Sequence, residues 1–89
     1  MNHDVFEWYG GDEVVAIIDK LDALCISRAV NMGFDCRVIL DAECKYEDQR
    51  LAYSLMHKLF VLGLRSHLYM SIHLHCKDEL GNEMHFELG

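Results

Sequence analysis

The sequence contains no proline and no threonine, and no segment of low complexity. That composition argues against a linker or a disordered tail, which are rich in the residues missing or scarce here. Bases are few. Eight Lys and Arg stand against 15 Asp and Glu, for a net charge of −7. A nucleic-acid binder needs clustered positive charge to displace counterions from phosphate. Eight scattered bases do not supply it, so no direct contact with DNA or RNA is expected. The four cysteines, Cys25, Cys36, Cys44 and Cys76, show no C-x-x-C spacing. No apolar run approaches the roughly 18 residues of a membrane span. Asn2, His3 and Asp4 stand where a signal peptide would place apolar residues. The expectation is a cytoplasmic protein with reduced thiols and no membrane partner. The string KDEL at Lys77 to Leu80 is internal and is not a retention address.

What is present is one domain of 89 residues, 52% hydrophobic. A chain this short buries roughly 60–65% of its unfolded surface and has little room for a deep cleft. Both ends are acidic. Residues 1–22 carry −5, residues 23–77 carry +2, and residues 78–89 carry −4. A basic protein surface is the natural partner for such a molecule.

The pattern reads as strand, helix, strand, helix, strand, strand. Residues 5–9, VFEWY, are short, aromatic and β-prone, with Trp8 assigned to the core. Gly10-Gly11 breaks the chain, and Asp12 can cap a helix. Val14, Ile17, Ile18, Leu21, Leu24 and Cys25 recur at helical spacing. That helix is expected to run on to Asn31-Met32-Gly33, with Gly33 as its left-handed stop. Residues 34–44 alternate: Phe34, Cys36, Val38, Leu40, Ala42 and Cys44 have one parity, and Asp35, Arg37, Asp41 and Glu43 the other. Residues 46–62 return to helical spacing through Leu51, Ala52, Leu55, Met56, Leu59 and Phe60, with Gly63 as the stop. Residues 67–76 alternate again, Leu68 to Cys76 inward and His67, Tyr69, Ser71, His73 and His75 outward. Met84, Phe86 and Leu88 then face in, with Glu83, His85 and Glu87 out.

The last turn can be derived. A two-residue loop at Gly81-Asn82 would set Cys76 against Glu87 on one face, which the pleat does not allow. A three-residue loop, Glu79-Leu80-Gly81, pairs Asp78 with Asn82 and puts Gly81 in the left-handed position. It then pairs Cys76 with Met84, Leu74 with Phe86, Ile72 with Leu88, Lys77 with Glu83, His75 with His85 and His73 with Glu87. Right-handed crossovers complete the fold class. It is a two-layer α/β sandwich of β-α-β-α-β-β order, with both helices on one face of a four-stranded mixed sheet and a C-terminal β-hairpin.

The outer sheet face carries the candidate chemistry. His73, His75, His85 and Glu87 are of the type that holds zinc or another transition metal. Same-face neighbours on a strand lie about 6.6 Å apart and fan outward, so a flat face does not converge by itself. The same histidines beside Asp41 or Glu87 offer an acid–base pair. The plainer alternative is a partner-binding surface of Tyr69, His67, His73, His75, His85 and Glu87, since tyrosine is a favoured interface anchor and neutral histidine is inexpensive to desolvate. Asp12, Glu13, Asp19 and Asp22 add an acidic patch, of the kind with which a small protein imitates a phosphate backbone. The cysteines fall on apolar positions and read as core. Cys36 and Cys44 lie too far apart on one strand to bridge. No serine sits in G-x-S-x-G. Asp12 and Glu13 would repel any phosphate at Gly10-Gly11. No catalytic residue and no cofactor is assigned. The expected function is a non-enzymatic, acidic protein-binding module, an inhibitor or accessory subunit. Proteins that viruses and mobile elements make against host machinery share that size and charge, by analogy only. The alternatives are a metal or acid–base site on the histidine face, and a subunit that self-assembles into a homodimer through it.

Overall fold

A computed structural model describes residues 11–32, 37–67 and 69–89. Among them the order is α1 (Gly11–Leu24), β1 (Cys25–Met32), β2 (Arg37–Cys44), α2 (Gln49–Arg65), β3 (Met70–Lys77) and β4 (Glu83–Leu88). The four strands form one sheet in the order β1-β2-β3-β4. β1 runs antiparallel to β2, β2 parallel to β3, and β3 antiparallel to β4. The architecture is therefore the expected open α+β sandwich with a mixed sheet and a C-terminal hairpin. The expected strand at 5–9, the stop at Gly33 and the outward Asp35 lie outside the described residues.

Helix α1 buries Val14, Ile17, Ile18 and Leu21. Helix α2 buries Ala52, Leu55, Met56 and Leu59. They share one core with Cys25, Ala29, Val38, Leu40, Ala42, Cys44, Met70, Ile72, Leu74 and Cys76 from the inner sheet face. Both helices thus cover the same face. In β2 and β3 every second residue is buried, as a half-covered sheet requires. The last strand is thinner: Met84, Phe86 and Leu88 are only half-buried against the core. Tyr53 of α2 meets the Phe86 ring edge-on at 5.9 Å.

Four expectations need correction, the last of them the place of His67. The first helix stops at Leu24, and residues 25–32 are a strand paired along its whole length with β2, from Cys25 opposite Cys44 to Met32 opposite Arg37. Cys25 and Ala29 are four apart, a spacing that satisfies a helix stripe and a strand parity equally. The pairing with β2 decides between them. Second, Leu51 is 55% exposed and lies off the buried stripe. Third, α2 does not stop at Gly63, which is buried inside it. It ends at Ser66 and His67, where the His67 N–H donates to the Leu64 carbonyl at 3.1 Å. His67 itself takes the left-handed conformation at φ 55°, the role usually given to glycine. His67 is therefore a helix terminator and not a member of the outer strand row.

The hairpin register is the derived one at every position, from Ile72 opposite Leu88 to Lys77 opposite Glu83. Gly81 has φ 84°. The Asp78 N–H donates to the Asn82 carbonyl at 2.8 Å, closing the loop.

Candidate functional site

Strand parity and register together build the outer face. Arg28, Asp41, His73 and Glu87 lie in one line across the four strands. Ile26, Glu43, His75 and His85 form the next line, and Val30, Ile39 and Ser71 another. Asp41 and Glu43 thus stand beside the histidines, one strand over.

The histidines interact closely. His75 and His85, directly opposite, stack with ring centroids 4.6 Å apart and planes 7° from parallel. His73 and His85, on the diagonal, stack at 5.2 Å. His73 Nδ1 lies 3.0 Å from His85 Nε2, a hydrogen bond in which one ring nitrogen donates to the other. His75 turns its Nε2 the other way, to within 3.7 Å of Asp41 Oδ1. Both of those groups are about half exposed, so the pair is screened and contributes little to stability. Ligand atoms of His73, His85 and Glu87 all lie within 4.8 Å of one another. His75 is not in that set. A shallow groove bounded by Ile26, Arg28, Asp41, Glu43 and His75 continues the face toward β1.

Apolar side chains flank the histidines. Ile26 is 82% exposed, Tyr69 69% and Val30 39%. Tyr69 sits just ahead of β3, where its carbonyl accepts from the Val38 N–H at 2.9 Å. Ile26, Arg28 and Val30 are outer-face residues that the helical spacing of Leu21, Leu24 and Cys25 conceals, because it carries the expected helix through them. The available signal was their own alternation with Cys25, Ser27 and Ala29.

The acidic residues stand elsewhere. Asp12, Glu13, Asp19 and Asp22 are exposed on α1, and Asp22, near its C-terminal end, shares a groove with Ile26 and Glu43. Asp22 accepts a hydrogen bond from Ser27 Oγ at 3.0 Å.

The inner face holds a row of thiols. Cys25 lies opposite Cys44, and Cys76 opposite Met84. These three cysteines, the ones among the described residues, are free and buried. Burial, reinforced by the neighbouring Cys44, pushes the Cys25 thiol up to about 12. Burial likewise raises Cys44, with Cys76 adding to it, and raises Cys76, with Asp78 adding to it. Thiols held neutral in this way are poor nucleophiles. Among the described residues, no helix is long and apolar enough to cross a membrane.

No family model, no curated protein and no solved structure matches this chain.

Proposed function

We propose that the chain is a non-enzymatic docking module that meets a protein partner through its outer sheet face. The observation that carries this reading is the exposure of Ile26, Val30 and Tyr69 on the face that neither helix covers. Exposed apolar groups that share one face favour a contact surface where they form a patch, and Ile26 and Val30 stand on either side of Arg28 on β1. Four strands at about 4.8 Å spacing and eight residues at about 3.3 Å give a face about 19 by 26 Å. That falls below the roughly 800 Å² per partner of a standard interface and suits a smaller, transient contact.

The partner is a protein surface that offers both apolar and basic groups. Asp41, Glu43, Glu83 and Glu87 outnumber Arg28, Arg37 and Lys77 on this face. The molecule's −7 charge steers basic partners toward it and repels a second copy. A cytoplasmic setting, where thiols stay reduced, suits the buried Cys25, Cys44 and Cys76.

The test is photo-crosslinking from position 69, with position 20 on the helix layer as the control. A single protein captured from 69 and not from 20 is the expected result. Once purified, that protein should bind the wild-type chain and lose binding to Ile26→Ser and Tyr69→Ala. Equal capture from both positions sinks the reading. Capture of the chain by itself replaces it with self-assembly.

A further inference from the structure

We propose that His73, His85 and Glu87 form a binding site for a divalent transition metal, with zinc as the reference ion. The inference does not depend on the docking reading. It stands on convergence. An ordinary sheet face fans its side chains apart, yet here three ligand atoms from two strands gather within 4.8 Å. The two imidazole nitrogens are already 3.0 Å apart. Two donors bound at about 2.0–2.1 Å to a tetrahedral zinc lie about 3.3 Å from each other. Insertion of the ion therefore asks the rings to part by a few tenths of an ångström and to tilt so that both nitrogens face it, with loss of one hydrogen bond, and asks the set, now spread over up to 4.8 Å, to close in.

The hairpin register explains how the set assembles. His73 faces Glu87 directly across the β3–β4 pair, and His85 sits on the diagonal. The derived three-residue loop fixes that register, so the ligand geometry follows from the turn. His75 stacks flat against His85 and directs its own Nε2 at Asp41. It holds the His85 ring and does not ligate. Three protein ligands leave a fourth position for water or for a side chain of another molecule. The exposure of His85 and Glu87 keeps that position accessible.

The experiment uses the full chain without a histidine tag, freed of metal by chelator and dialysis. Cobalt(II) is titrated and followed by absorption, and zinc is then added to displace it. The expected result is one cobalt per chain, with visible d–d bands and no thiolate-to-cobalt charge-transfer band. His73→Ala and His85→Ala should each weaken binding by more than about tenfold, the least that loss of even an outer-shell partner costs a metal site. His75→Ala should bind within a few-fold of wild type. Glu87→Gln provides a second reading if a histidine variant fails to fold. Absence of binding overturns the proposal. So does a thiolate band, which would place the ion on the cysteines. Unchanged affinity in His85→Ala and Glu87→Gln overturns it equally.

Discussion

Asp78 shows how one side chain can hold an element. Its Oδ1 accepts from the N–H groups of Leu80 at 2.9 Å and Asn82 at 2.8 Å, and its Oδ2 accepts from Asn82 Nδ2 at 3.3 Å. The aspartate thereby wraps the loop that Gly81 turns at positive φ. The Asn82 N–H, ahead of the other donors, holds the Asp78 carboxyl below the ordinary carboxylate range. The folded state thus keeps the charge to lower pH than the unfolded chain does. The stabilisation is complete at neutral pH, declines as pH falls into the ordinary carboxylate range, and is gone below the depressed folded value. Urea unfolding of wild type and Asp78→Asn across pH should show this directly. The gap between them is expected to be constant near neutrality and to close under acid. A gap that ignores pH would mean that Asp78 acts through shape alone.

At the scale of elements, local chemistry and partner choice divide the work. The β3–β4 hairpin was legible because each layer of information agreed: parity, the clash of Cys76 with Glu87 in the shorter loop, and the glycine at the left-handed position. His73, His75, His85 and Glu87 could be placed on one face for the same reason. Residues 25–32 read both as a continuation of α1 and as an alternating strand. Cys25 and Ala29 fit both periods, no breaker separates them from α1, and the residue that settles each position belongs to β2. The convergence of three ligands out of four was also hidden, since parity gives the face and not the ring rotations. Val30 provides a test of the strand. It lies opposite Ile39 on the outer face and is partly exposed. In a strand, Val30→Ala loses β propensity and a cross-strand apolar pair, and should cost about 0.5–1 kcal/mol. In a helix the same change would be stabilising by a few tenths. The shift of the urea midpoint therefore reads the secondary structure of this segment, and a rise in the midpoint would contradict β1.

The whole molecule measures about 40 by 25 by 20 Å. The chain carries fifteen acids and eight bases. At about 0.01 M ionic strength the screening length is about 30 Å, so charges at one end act on those at the other. Near 0.15 M it is about 8 Å, and only neighbours interact. With a net charge of −7 the long-range sum is repulsive and works against the compact state. The His75–Asp41 pair on the outer face is half exposed and too weak to reverse it. Stability should therefore rise with sodium chloride between these concentrations, by roughly 0.5 kcal/mol on the scale of surface charge effects. Glu79 lies exposed in the hairpin loop, so Glu79→Lys reduces the repulsion without touching the core. That variant should be more stable at low salt and less responsive to added salt. If stability instead fell with salt, attractive pairs would dominate the field. Repulsion would then no longer keep copies of this chain apart, and a homodimer through the outer sheet face would become the better reading.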